Sequence, residues 1–322
     1  FRQGRRHDWH QLLQPAQQDM RTAAGQPSYV TAYVGQRVIT YLGNIVRRHR
    51  KIFMLPRPTP IPTLTAMTVI GDPKTSGKSS PFQIRCESSN GSCDYVVKLW
   101  AHPELWLGKH ALAREVYGSM LAKTLGLNTP DIAFIDIEPD FYLSQPNSKS
   151  ELLRISTGLN FGSSFIPQAK IFSSPVPPTK HALAVKIFCF DMFIGNMDRR
   201  VGKPNLFDLP DGYMVYDHEQ AFPFSRPQLM LGGYPPGWEY IKEAWSRDHI
   251  LFSSIHERDC GHEIEEFIQI AGYISDEIID TIEEQIPEDW RTDNDLQNIK
   301  LYLANTRENM QLFKRSLQEI LA

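Results

Sequence analysis

The chain has 322 residues, of which 41% are apolar, and a formal net charge of −3. That length can hold one large domain or two lobes, and no run of eighteen apolar residues in the sequence could span a bilayer. The four cysteines (Cys86, Cys93, Cys189 and Cys260) have no CxxC spacing, which favours free thiols in a reducing, cytoplasmic setting without a membrane partner.

The charge is unevenly distributed along the chain. Residues 1–53 hold nine basic and two acidic residues and carry +7, against −10 for residues 54–322. A basic arm can contact nucleic acid, and this arm is the one part for which we consider such a partner. Four closely spaced prolines then predict an extended linker: Pro56, Pro58, Pro60 and Pro62. We expect residues 1–66 to be a poorly packed extension.

From residue 67 the pattern becomes that of a small β-rich lobe. Alternating apolar and polar residues predict strands, and Asn90-Gly91 is a tight-turn signal between two of them. Residues 109–126 have the spacing of an amphipathic helix that ends at Gly126. The predicted strands are 68–70, 82–86, 95–100 and 132–137. We expect residues 67–140 to form a small antiparallel sheet with one helix.

The rest of the chain, residues 141–322, predicts a mostly helical lobe. Residues 140–180 are rich in Gly, Ser and Pro and indicate loops. The nearly all-apolar run 182–195 predicts a buried helix, and residues 261–285 and 293–321 predict two long surface helices. The predicted fold class is therefore α+β with two lobes.

Two polar segments follow the predicted buried helix. Asp198-Arg199 leads into Asn205, and Asp217 follows the pair Val215-Tyr216. Phosphoryl-transfer enzymes place a base and metal ligands in this order. The first Asp orients the attacking hydroxyl, and the Asn and the second Asp hold Mg²⁺ on the nucleotide phosphates.

A cationic and an acidic residue in the first lobe suit such a site. Lys98 ends a strand of apolar residues, where its ammonium can neutralise phosphate oxygens, and Glu115 in the next helix could brace it. Two structural alternatives stay open. Lys98 can be a strand lysine that extends to solvent, and Glu115 can be a solvated helix charge.

The segment 75–81 contains Gly77-Lys78-Ser79, which fits the end of a P-loop. The preceding Gly71 is one residue too far back, and Pro81 and a strand follow where a helix should begin. We interpret the segment as a flexible turn that covers nucleotide phosphates with backbone N–H groups, and an ATPase-type P-loop is the alternative.

The motifs in combination resemble the HipA-like kinase family over roughly residues 67–285. The segments that carry the resemblance are Tyr95-Val96-Val97-Lys98, 114–130, 193–206 and 217–222. The resemblance implies a two-lobed protein-kinase-like fold and ATP-dependent phosphorylation of a protein Ser or Thr. It also implies a loop serine that is self-phosphorylated, for which Ser79 and Ser80 are candidates.

Carried over to this sequence, the resemblance implies a role for each candidate. Lys98 contacts the α- and β-phosphates, and Glu115 braces it. Asp198 is the catalytic base or hydroxyl orienter, and Asn205 and Asp217 are Mg²⁺ ligands. From the interpretation of segment 75–81 as a phosphate-covering turn, we also expect Gly77, Lys78 and Ser79 near the phosphates of ATP.

Two features of the catalytic segment leave alternatives open. Kinases of this kind commonly place the Asn five residues after the Asp, and that position is Lys203 here. Either the loop bulges at Gly202 and Pro204 or the metal is held differently. Arg199 either binds a phosphate through bidentate hydrogen bonds or makes an internal salt bridge. The adenine is expected against the backbone of residues 135–137.

Other functional classes fit parts of the same pattern. A nucleotide-binding pseudokinase that docks a partner is one, because Lys203 stands where the Asn is usual. A kinase of a non-protein acceptor is another, since the implied fold also serves lipid and small-molecule kinases. The identity of the protein substrate does not follow from the sequence.

Overall fold

The structure is a computed structural model that describes residues 55–71, 81–88, 91–101, 108–145, 147–222, 244–291 and 293–322. The basic arm, the Gly77-Lys78-Ser79 turn with Ser80, and Asn90 of the predicted tight turn lie outside these residues.

Five strands close into a barrel in the first half of the fold. They are β1 (Thr63–Val69), β2 (Phe82–Ser88), β3 (Gly91–Lys98), β4 (Ile132–Ile137) and β5 (Gly158–Ser164). Their order around the barrel is β1-β2-β3-β5-β4. All neighbouring pairs are antiparallel except β1 and β4, which are parallel and close the ring. The predicted sheet is therefore present, but it is a closed barrel with one parallel pairing.

Alternation along the strands builds the barrel interior. Ile84, Val97 and Ile135 are fully buried in one core cluster. The residues beside them in the chain do not belong to that cluster, as the two-residue period of a strand requires. The sequence predicts four of these five strands, although the predicted strand 68–70 covers only the end of β1.

The barrel extends beyond the residues expected for the first lobe on both sides. Strand β5 lies beyond residue 140, yet it pairs with β3 and β4. Strand β1 begins at Thr63 inside the segment predicted to pack poorly, and the proline-rich stretch before it is also anchored. The backbone N–H of Ile61 donates to Gln285 Oε1 at 2.7 Å, and Leu55 is buried. The prolines exclude helix but not an extended segment docked on the fold.

One long helix, α1 (Lys109–Thr124), connects β3 to β4. It ends where the sequence predicts, because Gly126 follows with φ 78°, a left-handed conformation that glycine adopts without strain. Helix α2 (Asn147–Ile155) lies between β4 and β5, within the region predicted to be loops.

The second half combines helices with a small sheet. Helix α3 (His181–Ile194) is the predicted buried helix. The sheet consists of β6 (Lys170–Ile171), β7 (Leu206–Leu209) and β8 (Gly212–Val215), in that order. The remaining α-helices among the described residues are α4 (Ala244–Arg247), α5 (Phe252–Ile255), α6 (Gly261–Ala271), α7 (Asp276–Gln285), α8 (Asp293–Glu308) and α9 (Met310–Leu321).

The two long helices predicted near the end of the chain are each divided. The Ser275 hydroxyl accepts a hydrogen bond from the Ile278 N–H at 3.3 Å and caps a new helix, so α6 and α7 are separate. Asn309 separates α8 from α9. Among the described residues, no helix combines the length and the apolar character needed to cross a membrane.

Candidate active site

Lys98 ends β3 with its ammonium buried among three carboxylates. It donates to Glu115 of α1, to Asp217 Oδ1 at 2.5 Å and to Glu219 Oε2 at 2.7 Å. Lys98 is 8% exposed. The structure therefore brings Lys98, Glu115 and Asp217 together, and Lys98 does not extend to solvent.

Helix α1 holds Glu115 by close contact with the segment that follows β8. The backbone N–H of His218 donates to Glu115 Oε2 at 2.8 Å. Gly118, one turn later, allows this approach, because a Cβ there would lie 2.4 Å from the His218 Cβ. Glu115 is thus fixed on both oxygens and is not a solvated helix charge.

The charges of this cluster depend on one another. The carboxylates around Lys98 outweigh its burial and raise its pKa well above the ordinary lysine value. For Asp217, burial is outweighed by the ammoniums of Lys98 and Lys203, which hold its pKa well below the usual range. For Glu115, burial dominates over the effect of Lys98 and raises the pKa to about 7.

Asp198 lies in the loop after α3. That helix ends at Gly195, which is left-handed with φ 66°. The Asn196 side chain then organises the turn: its Nδ2 donates to Asp191 Oδ1 at 2.9 Å, and its Oδ1 accepts from the Asp198 N–H at 3.3 Å. Asn196 is fully buried and serves this turn rather than acting as a ligand in the cleft.

The loop bulges between Asp198 and Asn205, as one of the two open alternatives requires. Arg200 and Lys203 exchange backbone hydrogen bonds of 3.1 and 2.9 Å across a tight turn. Gly202 in that turn has φ 84°. The turn returns the chain so that Asn205 Nδ2 lies 3.5 Å from Asp198 Oδ2. Asn205 has φ 46°, a left-handed conformation that Asn tolerates better than most residues.

Lys203 links the two catalytic-segment aspartates. Its ammonium donates to Asp198 and lies 3.6 Å from Asp217 Oδ2. Burial raises the pKa of Asp198, and the hydrogen bond from Lys203 opposes that rise. The position that departs from the family spacing is therefore part of the same charged cluster.

Arg199 is inside the fold and not in the cleft. Its guanidinium is fully buried and donates to Asp191 Oδ2 at 2.6 Å, and it also donates to the backbone oxygens of Asn205 and Tyr216. Of the two open interpretations, the structure supports the internal salt bridge. The assignment of Arg199 to cofactor binding is thus replaced by a role in shaping the loop.

A cavity of about 1380 Å³ lies between the barrel and the second half. Lys98, Asp198, Lys203, Asn205 and Asp217 all line it.

The cavity lining includes a connection that the sequence did not identify. The side chains of Ile135 and Ile137 are buried inside the barrel, and the adenine position against the backbone of residues 135–137 stays a prediction. The end of β5 and the connection after it, including Ser163, Phe165 and Ile166, form part of the lining. This connection joins the barrel to the second half, and sequence analysis missed it because β5 was not recognised.

Hard oxygen ligands are available for a divalent cation. Asp217, Asn205 and Asp198 offer carboxylate and amide oxygens, the donor type that suits Mg²⁺. Glu219 adds a further carboxylate: Glu115, Asp217 and Glu219 have oxygens within 4.8 Å of one another. A glutamate at this place in the sequence suits a metal ligand, a solvated side chain or a cap. Its position two residues after Asp217 was the one available signal.

Comparison with known proteins gives one family and several structural likenesses. The family model for HipA-like kinases matches residues 67–228, half of the chain. The structure is similar to the Helicobacter pylori proinflammatory kinase CtkA, with 13% identity and a TM-score of 0.47 over 80% of this chain and 99% of that one. It is also similar to the Golgi casein kinase with Mn/ADP bound, with 11% identity and a TM-score of 0.40 over 82% and 74% of the two chains. No curated protein matches the sequence.

Proposed function

The chain belongs to the HipA-like kinase family, and from this premise we propose that it transfers the γ-phosphate of ATP, with Mg²⁺, to a Ser or Thr hydroxyl of a protein. One observation carries the proposal. The ammonium of Lys98 and the carboxylates of Asp198 and Asp217 face a single cavity, where Lys98 contacts Asp217 and Lys203 joins Asp217 to Asp198.

Asp198 is proposed to orient the acceptor. Its carboxylate accepts the proton of the attacking hydroxyl, whose oxygen forms a bond to the γ-phosphorus while the bond to the β–γ bridging oxygen breaks and ADP leaves. A partly buried carboxylate with a raised pKa is a better proton acceptor than an exposed one. The neighbouring Lys203 balances the charge of Asp198 and Asp217.

The nucleotide and the cation fit the residues present. The cavity exceeds the roughly 300–1,000 Å³ of ordinary small-molecule sites, so it has room for a nucleotide and the end of an acceptor chain. Asp217 and Asn205 are the proposed Mg²⁺ ligands, with Glu219 close by, and Lys98 is the proposed phosphate contact. Mg²⁺, when bound, supplies neutralisation of the charge on the phosphate oxygens.

The protein acceptor and self-phosphorylation belong to the proposal and rest on the family. Two residues that line the cavity near Asp198 are exposed to solvent, Val201 at 73% and Met197 at 37%. An extended acceptor segment can therefore reach Asp198. Ser79 and Ser80, the candidates for self-phosphorylation, lie outside the described residues.

The test uses the full chain and ATP labelled on its γ-phosphate. Label on protein, or released as inorganic phosphate with water as the acceptor, should require both Mg²⁺ and the two aspartates. We expect Asp198→Asn and Asp217→Asn to lower the rate at least about a hundredfold. Asp211→Asn in the exposed β7–β8 turn is the matched control and should keep the wild-type rate. Peptide mass spectrometry then locates phosphate on Ser79 or Ser80.

One observation favours a second candidate, a nucleotide-binding pseudokinase. The Lys203 ammonium already donates a hydrogen bond to one carboxylate oxygen of Asp198. A catalytic base needs such an oxygen free to accept the proton at the moment of transfer. ATP binding measured by calorimetry with no label transferred to protein or water would support the pseudokinase. Transfer that is lost in Asp198→Asn would exclude it.

A further inference from the structure

Helix α1 shares its core with the second half of the fold and not with the barrel interior. Leu112, Val116 and Leu121 belong to the same buried cluster as residues of α3 and α8, whereas the barrel interior forms a cluster of its own. Glu115 is therefore presented to Lys98 from the second half. Contacts that hold α1 against the second half therefore also hold Glu115 in contact with Lys98.

Arg114, the residue next to Glu115, connects α1 with the second half through a buried polar contact. Arg114 is 1% exposed. Its Nε and Nη2 donate to the two oxygens of Asp295 in α8, at 3.1 and 2.5 Å. Its Nη1 donates to the backbone oxygens of Ala221 at 2.9 Å and Phe222 at 3.2 Å. One planar guanidinium thus joins three segments, as only an arginine fork can.

The segment that Arg114 holds is strained at both ends. Asp217 has φ 63° and Phe222 has φ 54°, and neither is glycine. Such conformations are unfavourable for residues other than glycine and persist only where the surroundings impose them. Lys98 holds the Asp217 end, and Arg114 holds the Phe222 end. The candidate metal ligands Asp217 and Glu219 lie between these two anchors.

We infer that Arg114, oriented by Asp295, is a positioning residue for the phosphotransfer site: it sets α1 so that Glu115 meets Lys98, and it sets the strained segment that carries Asp217. The inference rests on the proposed function for its kinetic consequence. Asp295 lies in α8, beyond the family match at residues 67–228. The inference therefore includes a residue outside the matched region in the support of the active site.

The test replaces the ion pair by an apolar pair. Arg114→Met/Asp295→Leu removes both members of the ion pair together, so neither of these two residues keeps a buried charge without the other. Such replacements commonly preserve stability, so the variant should fold. Two readouts are taken from the full chain. The first is the rate at which acetic anhydride acetylates Lys98, measured by peptide mass spectrometry. The second is kcat and KM for ATP in the label-transfer assay.

We expect acetylation of Lys98 to be at least about tenfold faster in the double variant, because the contact with Glu115 opens more often. We expect kcat to fall by about a hundredfold through misplacement of the reacting groups, with a smaller change in KM. For Arg114→Lys, we expect the acetylation rate and kcat to lie between those of the wild-type chain and the double variant. A single ammonium cannot donate to Asp295 and to both backbone carbonyls at once. The control is Lys109→Ala/Asp289→Ala, which removes an exposed ion pair of the same helix and should leave both readouts unchanged.

A folded double variant with wild-type acetylation of Lys98 and wild-type kcat would overturn the inference, and so would an equal loss in the control. Acetylation needs no turnover. If the wild-type chain transfers no phosphate, the proposed function fails, while the protection of Lys98 still decides whether Arg114 positions the site.

Discussion

The ammonium of Lys203 is hydrogen-bonded to the carboxylate of Asp198, the residue proposed to accept the proton of the acceptor. The same ammonium lies 3.6 Å from Asp217, so it separates two carboxylates that would otherwise repel each other. The tight turn of the loop at Gly202 is what brings it there. The departure from the family spacing thus places a cation at the centre of the site.

Lys203→Met should lower kcat and shift the pH dependence of the reaction. Burial, which already raises the pKa of Asp198, is then no longer opposed by the lysine. The pKa rises further, Asp198 is protonated at higher pH, and the acid limb of kcat/KM moves to higher pH. We expect kcat to fall at least about tenfold at neutral pH. The control is Lys186→Met, which removes the ion pair with Glu266. If the acid limb of kcat/KM lies at the same pH in the two variants, the role of Lys203 is contradicted.

Lys98→Met should abolish transfer and also destabilise the fold, most strongly at high pH. Without the ammonium, Glu115, Asp217 and Glu219 stay buried without their shared cation, and breaking such a cluster costs about 3–5 kcal/mol. Burial then raises the pKa of Glu115 further above its unfolded value, because the opposing effect of Lys98 is gone. The folded state then binds more protons, and stability falls as pH rises above about 4. Urea titrations at pH 5 and pH 8 check this by comparing the free energy of unfolding of the variant with that of the wild-type chain. A larger loss of this free energy at pH 5 than at pH 8 would contradict the expectation.

Sequence analysis predicted the charged residues whose type and order are informative by themselves. A lysine at the end of an apolar strand and two aspartates after an apolar helix stand out from their surroundings. The structure brings Lys98, Asp198 and Asp217 to one cavity. Their chemical roles remain part of the proposed function.

The features that were missed depend on tertiary contacts. Strand β5 has the sequence of a loop, yet its backbone is satisfied by β3 on one edge and β4 on the other. Its Gly162 is a packing glycine, because a Cβ there would lie 2.6 Å from Ile135 Cγ1. Arg199 forms its internal salt bridge with Asp191 on the preceding helix, and no local pattern of the sequence identifies that partner.

Gly118→Ala should destabilise the protein although it lies in a helix. Replacing a helical glycine by alanine ordinarily stabilises by about 1 kcal/mol. Here the new Cβ would meet the His218 Cβ at 2.4 Å and Cγ at 2.7 Å, and overpacking of this kind costs about 1–3 kcal/mol. We expect a lower Tm in calorimetry and a lower kcat, since His218 fixes Glu115 through its N–H. The control is Gly71→Ala, where nothing lies within 4 Å of the added Cβ. An unchanged or higher Tm for Gly118→Ala would contradict the close contact between Gly118 and His218.

His218 should make the folded state sensitive to acid. Burial, with a smaller contribution from the nearby Arg199 guanidinium, lowers the pKa of its imidazole to about 3. The ring faces Arg199 at 3.4 Å, Ser119 at 3.5 Å and Glu115 at 3.9 Å. Between pH 6.5 and about 3 the unfolded chain binds a proton at this residue that the folded chain does not, so the free energy of unfolding falls as pH falls.

We expect His218→Asn to reduce that pH dependence by up to about 1.4 kcal/mol per pH unit, the value for one proton. Urea titrations from pH 7 to pH 3.5 measure it. His249, whose pKa is also lowered by burial, acts in the same direction, so part of the dependence persists. His262→Asn at an exposed position is the control. A slope in His218→Asn equal to that of the wild-type chain would mean that the folded protein already carries a proton on His218, and that Arg199 and the imidazole are not packed as described.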